Sequence, residues 1–389
     1  MDKQNTIKDK AAIVGVGESR YYKRGGSPIS QFSLACHAIM NAAEDAGIEV
    51  SEIDGFASYA NDQNDPSRLA AALGLRELNF CNLAWTGGGG VAAAVANAAA
   101  AVVAGYARQV AVFRALAQGQ GFRLGQAHSG GGPAGLLRFT LPYGVASPAQ
   151  RIALRVRRFM YEHKAKQDAL AAIALASYHH AQFNPRAVMY GRPLSAEAYH
   201  NSRWIVEPFH LFDCCMENDG AAAVIVTTAE RARDLRQKPA FIMAAAQGSD
   251  SRDVHDSLNI PDFGSANFKH VARRLYEMAE IGPQDVDVVQ SYDHFSGAVM
   301  ITLAEHGFCA PHDINDFCTV ENLTWPNGKL PLNTSGGNLA ECYVIGMQLI
   351  NEAVRQVRGT STCQVKDAEI SMMISGSATT PTSNIILHG

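Results

Sequence analysis

The 389-residue chain has no basic surplus: 33 Lys and Arg stand against 37 Asp and Glu, a net charge of −4 with His neutral. Binding a phosphate backbone needs clustered cations, so nucleic acid is not an expected partner. A long apolar run is also missing. Val91 to Ala104 is the longest small-apolar stretch, and it is too short and too alanine-rich for a membrane span. Met1 to Lys10 carries charges of both signs and no apolar segment, so no secretory signal is expected there. The eight cysteines follow no regular spacing and read as reduced thiols of a cytoplasmic enzyme. Adjacent Cys214 and Cys215 are poorly placed to chelate one metal and read as buried structural thiols, so no metal is expected. The Gly-X-Gly at Gly15 and Gly17 lacks a third glycine and a helix-opening sequence after it, which removes the dinucleotide-binding reading.

What is present is ordinary globular composition, 47% hydrophobic and 18% charged, in a chain long enough for two or three domains. Ala12 to Gly17 reads as a buried strand. Residues 28–46 carry helical apolar spacing and stop at Gly47, a C-cap. A strand at 53–59, a loop, the cluster Gly87 to Gly90, a helix over 91–104 and a strand at 109–113 follow. The second half repeats this order: a helix over 266–280, a strand at 286–292, a loop to Gly336 and Gly337, a helix over 339–356 and a strand at 370–375. The pattern predicts a duplicated α/β unit with largely buried strands.

Between the halves lies a stretch rich in Gly, with Gly119, Gly121, Gly125 and Gly130 to Gly132, then two helices over 149–164 and 167–181. Arg151, Arg155, Arg157 and Arg158 sit on the first helix. They form either a solvated face or the edge of a cap near an anionic ligand such as the phosphates of coenzyme A.

Phe212 to Val224, with its Asn-Asp-Gly-Ala-Ala-Ala core, resembles the Asp-Gly-Ala-Ala-Ala strand opening of thiolases, especially the sterol carrier protein X branch. Trp325 to Gly328 and Asn333 to Gly337 resemble the glycine-rich approach to the thiolase C-terminal catalytic helix. The resemblance runs from Ala12 to Leu387. It implies an α/β thiolase fold: duplicated halves in five αβαβα layers with a loop or cap domain. The halves would be 1–114 with 205–240, and 241–389, with the cap at 115–204. It also implies a dimer or a dimer of dimers.

The family's catalytic positions have changed. Thiolases place a cysteine at the N-terminus of the helix that here starts near Thr86, where the helix end lowers the thiol pKa. Leu83 to Gly88 holds no cysteine, and Cys81 lies three residues early. The histidine of the family's Gly-His-Pro turn corresponds to Tyr343. The strand-end histidine corresponds to Tyr292, in Tyr292-Asp293-His294-Phe295. The last catalytic cysteine falls in Ser375 to Ala378.

Two tyrosines at these positions resemble the thiolase-like retro-aldolases of bacterial steroid side-chain degradation. Such enzymes cleave a β-hydroxy acyl-CoA into a ketone or aldehyde and a shorter acyl-CoA, beside a small OB-fold and zinc-ribbon partner. A retro-aldol step needs one base, one acid and donors for the enolate oxygen, and no nucleophile. Tyr292 and Tyr343 are assigned as the acid/base pair, in either order. His294 orients Tyr292 or donates to the thioester oxygen. Trp85, Thr86, Gly87, Asn333, Ser335, Gly336 and Gly337 are assigned to substrate binding, the glycines for close backbone approach. No covalently bound cofactor is expected; coenzyme A enters as part of the substrate. Two alternatives stand: a thiolase cleaving a β-keto acyl-CoA with Cys81 or Cys342 recruited, and a non-catalytic acyl-CoA or lipid-binding subunit.

Overall fold

Gly15 and Gly17 set how closely the first helix can lie on the first strand. A Cβ at Gly15 would come 2.9 Å from the Cβ of Ala46, and one at Gly17 would run into the backbone of Ala38 and Ala42. The helix Gln31–Ala46 seats a stripe of buried alanines on this glycine face. Its C-terminal end is the one read from the sequence, Gly47 closing it at φ 73°, whereas its start falls three residues after residue 28, where Ser30 caps the Ser33 amide.

The computed structural model describes residues 7–121, 138–249, 260–378 and 380–389. Gly125 and Gly130 to Gly132 lie outside the described residues. The strands are β1 (Ala11–Glu18), β2 (Tyr22–Lys23), β3 (Gly55–Tyr59), β4 (Phe80–Ala84), β5 (Gln109–Ala117), β6 (Trp204–Val206), β7 (Phe209–His210), β8 (Asn218–Thr228), β9 (Ala240–Gly248), β10 (Val288–Ser291), β11 (Ile370–Ile374) and β12 (Thr382–His388). Nine of them run in the order β10-β11-β12-β9-β1-β8-β5-β3-β4, with β2 paired on β8, and β6 and β7 form a separate ribbon.

The halves meet at an antiparallel seam where Ala12 faces Phe241 and Ile13 faces Ala240. Outward from the seam the two sides correspond: β1 to β9, β8 to β12, β5 to β11, β3 to β10. The senses agree as well. β3–β5 and β10–β11 are parallel, whereas β5–β8 and β11–β12 are antiparallel. The counterpart of β4 is reduced to a bridge between Val289 and Leu332.

Three apolar cores make the layers. The helices Val91–Val103 and Met347–Arg358 share one core with strands of both halves. Gln31–Ala46 covers the far face of the first half. Lys269–Ala279 and Ser296–Glu305 cover that of the second. The order is helix, sheet, helix, sheet, helix, the five layers expected. Val91–Val103 is apolar at every position but Asn97, which donates to Asn82, because it lies in the middle layer.

The intervening helices are Pro148–His163, opened by a Ser147/Gln150 capping box, and Gln167–Ala181. They pack into the second half's outer core. The arginines of the first helix do not converge on an open anion site. Arg155 is buried and donates to the Ser265 carbonyl at 3.1 Å. Arg158 pairs with Glu162, and Arg157 lies 3.7 Å from Glu207. Among the described residues no helix is long and apolar enough to cross a membrane.

Among the boundaries that differ from expectation are three in the second half. The helix expected over 266–280 begins at Lys269, because the Glu305 carboxylate holds the Ala266 and Phe268 amides in a preceding turn. Strand β10 stops at Ser291. The helix expected over 339–356 is broken: a wide turn spans Gly337–Glu341, and regular helix resumes only at Met347. Tyr343 therefore lies in the break and not on a helix face.

A methyl group at Gly17 has no room without displacing Gln31–Ala46. Gly17→Ala should cost about 1–3 kcal/mol, read as a lower thermal midpoint. An unchanged midpoint would show that the helix is not seated as described.

Candidate active site

The site begins where β10 ends. The Asn333 amide accepts from the Ser291 N–H at 2.7 Å and donates to the Ser291 carbonyl at 2.9 Å. Both backbone groups of the last strand residue are thereby closed, which turns the chain at Tyr292. The Tyr292 amide still donates to the Ile374 carbonyl of β11 at 2.9 Å. Asp293 points back into the protein and accepts from the Asn338 amide at 2.7 Å and the Leu339 amide at 3.3 Å. That capping opens the Gly337–Glu341 turn, and Tyr292 and His294 come together away from it. Their rings lie 5.2 Å apart. The pairing expected from strand alternation is reached, by a turn instead of a strand.

The Tyr292 phenol fits because two glycines flank it. A Cβ at Gly88 would strike the phenol end of the ring, and one at Gly346 (φ 84°) would strike its edge. Gly88 opens the turn Gly88–Gly90 that leads into the Val91–Val103 helix. The phenol thus stands at the helix end where the family's nucleophile is expected. Its oxygen lies 2.9 Å from that of Tyr343.

Tyr343 is held by its backbone. The Asn218 side chain accepts from the Tyr343 N–H at 2.6 Å and donates to the Tyr343 carbonyl at 3.3 Å. The same amide nitrogen lies 2.8 Å from the Cys342 sulfur. Tyr59 adds a further hold on the break, donating to the Ile345 carbonyl at 2.9 Å.

Charge within the site is controlled by burial. Burial, then the nearby Tyr343, pushes Tyr292 well above the ordinary phenol value. Burial also raises Tyr343, against which the hydrogen bond from Tyr292 and the Arg114 charge act in the opposite direction. Arg114 is itself buried in a 2.7 Å pair with Asp62. Of the two phenols, Tyr343 has the better supported anion. His294 is lowered to about 4 by burial, so it is neutral near pH 7. Neither ring nitrogen makes a hydrogen bond of good geometry among the described residues, although the Tyr292 backbone lies close enough to favour the charged ring slightly. A neutral imidazole in that state has one N–H donor and one lone pair free.

The helix N-terminus itself is filled. The Ala92 amide donates to Ser375 Oγ and the Ala93 amide to Ser383 Oγ, each at 3.0 Å. Gly376 donates to the Gly88 carbonyl at 2.8 Å. Ser375, in the stretch where the resemblance puts a cysteine, is a cap on this helix. The stretch Leu83 to Gly88 at this helix end holds no cysteine. Burial raises every one of the eight cysteines above its ordinary value. Cys81 lies exposed on β4, and Cys342 is buried behind Tyr343.

The remaining predicted residues divide. Trp85 is 82% exposed at the end of β4. Thr86 donates to the Pro381 carbonyl at 3.1 Å, and Gly87 caps the Gly88–Gly90 turn. Within this stretch it is Gly88 that meets Tyr292. Asn333 and Ser335 are wholly buried with their side chains engaged, Ser335 donating to Glu341 at 2.5 Å. Gly336 (φ 113°) and Gly337 (φ 62°) form the turn over Asp293. These four residues serve the turns that carry the chain past Ser291 and Asp293. Sequence reasoning missed Asn218, Gly88, Gly346 and Arg114. Asn218 stood within the Asn-Asp-Gly stretch that signalled the fold, but nothing linked it to a residue 125 positions later.

The Thiolase C-terminal domain-like family matches residues 246–388. The chain is 39% identical to a steroid side-chain-cleaving aldolase of Thermomonospora curvata, over 97% of each chain. It is 38% identical to the 17-hydroxy-3-oxo-4-pregnene-20-carboxyl-CoA lyase of Mycobacterium tuberculosis, over 98% of this chain and 100% of that one. The solved Ltp2-ChsH2(DUF35) aldolase superimposes with a TM-score of 0.92 at 37% identity, over 99% of both chains.

Unactivated thiols react slowly near neutral pH because little thiolate is present. In the native protein at pH 7, iodoacetamide should label Cys81 in preference to the buried Cys318, Cys342 and Cys363, and no faster than a model thiol. Rapid modification of any cysteine, blocked by an acyl-CoA, would restore a thiolase-type nucleophile.

Proposed function

The chain belongs to the thiolase-like family that contains the steroid side-chain-cleaving aldolases, and we propose that it performs retro-aldol cleavage of a β-hydroxy acyl-CoA with a bulky, steroid-like acyl group. The products are a ketone or aldehyde and a shorter acyl-CoA. The observation that carries this reading is the 2.9 Å contact between the Tyr292 and Tyr343 hydroxyls, set against a helix end that holds no thiol.

Tyr343 serves as the base, since its anion has the support of the Tyr292 hydrogen bond and of Arg114. It takes the proton from the β-hydroxyl. The Cα–Cβ bond breaks, the β-carbon becomes a carbonyl, and the electron pair enters the thioester as an enolate. His294, neutral and without a hydrogen bond of good geometry among the described residues, donates to the developing oxyanion. Tyr292 then delivers a proton to the α-carbon. No bond to the protein forms at any stage.

The assembly is proposed on other grounds. β4 is an edge strand with Leu83 and Trp85 exposed beside it, a surface that a second copy of the chain would cover. A small OB-fold and zinc-ribbon protein completes a heterotetramer on the family resemblance, and the solved relative's name joins two proteins. The proposed location is cytoplasmic.

Parallel assays with β-hydroxy and β-keto acyl-CoAs decide between this reading and a thiolase. Tyr343→Phe and Tyr292→Phe should each lower kcat about 10²–10⁴-fold on the β-hydroxy substrate, and mass spectrometry should find no acylated cysteine. Turnover restricted to β-keto substrates, or unchanged in both variants, would overturn the assignment.

The pH dependence follows from the raised Tyr343. A base acts deprotonated, and a pKa above 10 leaves the active fraction still growing at pH 10. kcat/KM should climb with pH from 7 to 10 without a plateau, and Tyr343→Phe should remove the climb. A plateau already reached at pH 8 would require a different base.

A further inference from the structure

A cavity of about 520 Å³ lies apart from the tyrosine pair, between the segment Ser19 to Lys23 and the segment Pro185 to Val188. Its volume falls in the range of small-molecule sites, roughly 300–1,000 Å³. Arg20, Lys23 and Arg186 all line it. Arg24, just beyond the wall, lies 3.9 Å from Glu217. Arg20 rests over the Tyr22 ring at 5.3 Å and has no carboxylate partner among the described residues, and the same holds for Lys23.

Two buried donors in this wall are unanswered. Tyr21 is only 8% exposed, and its hydroxyl meets no acceptor among the described residues. Arg186 has Nε and Nη2 buried in the same condition. A buried guanidinium with two free N–H groups presents the fork that fits a phosphate or carboxylate. Glu18 and Glu341 lie near enough for the Arg186 charge to act on both, which offsets part of that charge, but neither accepts a hydrogen bond from its Nε or Nη2. Glu18 is already paired with Arg355 at 2.7 Å. Glu341 is hydrogen-bonded by Ser335 and Asn184, and burial raises it to about 7.

Both walls of the cavity are the segments that hold Tyr343. Tyr22 and Lys23 pair with Asp219 and Asn218, and Asn218 grips the Tyr343 backbone. On the other wall, Val188 donates to the Glu341 carbonyl at 2.8 Å and Met189 to the Ala340 carbonyl at 3.1 Å. A ligand drawn in here would clamp both supports of the base.

We propose that this cavity is an anion site that takes a phosphate group, with Arg186 and the Tyr21 hydroxyl as buried donors and Arg20 and Lys23 as the cations at its mouth. The phosphate has two possible sources. One is the nucleotide end of an acyl-CoA, which rests on the function proposed above. The other is a separate phosphorylated ligand, which does not.

Calorimetric titration of the intact protein with coenzyme A, dephospho-coenzyme A and pyrophosphate tests the site. Arg186→Gln should weaken binding about tenfold or more, the effect of losing a charge-assisted pair. The exposed double substitution Arg20→Gln and Lys23→Gln, which leaves the buried wall intact, should weaken it several-fold and flatten its salt dependence. Loss confined to the coenzyme A ligands identifies the substrate as the source, and equal loss for pyrophosphate identifies a free anion. If none of the three ligands binds, or if both variants bind as tightly as the parent, the proposal falls. A protein that binds coenzyme A in this way but cleaves no acyl-CoA would keep this site and lose the function proposed above.

Discussion

Much of the site depends on the absence of two side chains. The Tyr292 ring occupies space that any Cβ at Gly88 or Gly346 would fill. Gly88 belongs to the turn before a central helix of the first half, and Gly346 immediately precedes the central helix of the second. The phenol is therefore gripped by both halves of the duplicated fold at the level where their middle-layer helices begin. Its hydroxyl has one geometry open to it, and that geometry brings it to Tyr343.

Holding a buried hydroxyl against a partly buried one at contact distance needs rigid supports, and the supports here are polar. Asn333 closes the end of β10, Asp293 caps the Gly337–Glu341 turn, and Asn218 fixes the backbone of Tyr343. Each uses short hydrogen bonds to backbone groups that the broken helix and the ended strand leave without ordinary partners. The cost of interrupting two regular elements is offset by these side chains, and the interruption is what turns the tyrosines inward. Burial of Asp293 raises its carboxyl to about 7, against the opposing pull of the Asn338 and Leu339 amides that it accepts from.

Periodicity was enough to read the layers, because apolar spacing and glycine stops are local signals. Gln31–Ala46 and Gln167–Ala181 end within a few residues of their predicted limits for that reason. Tyr292, Tyr343 and His294 were legible only through the positions of a resembled family; nothing in their local sequence marks proton-transfer groups. The supports were not legible at all. Asn218 and Tyr343 lie on segments that meet only after β8 is set in the middle of the sheet, and Gly88 matters only once a side chain 204 positions away arrives beside it. The break after Glu341 was missed for a similar reason. Its apolar spacing is helical, and the carboxylate that unwinds it comes from Asp293.

The helix end of the first half carries the last step of the synthesis. Free N–H groups at such an end are what lower a thiol's pKa. Here Ser375 and Ser383 already accept from the Ala92 and Ala93 amides, and Ser383 also donates to the Gly89 carbonyl at 2.5 Å. A cysteine restored at Trp85 or Thr86 would meet a terminus whose amides are engaged, beside a phenol that fills the adjacent space. Reverting the nucleophile alone would not rebuild a thiolate site. The serine caps and Tyr292 close the space around this helix end from two sides, which favours the proposed chemistry, in which protons move and no acyl group is transferred to the protein.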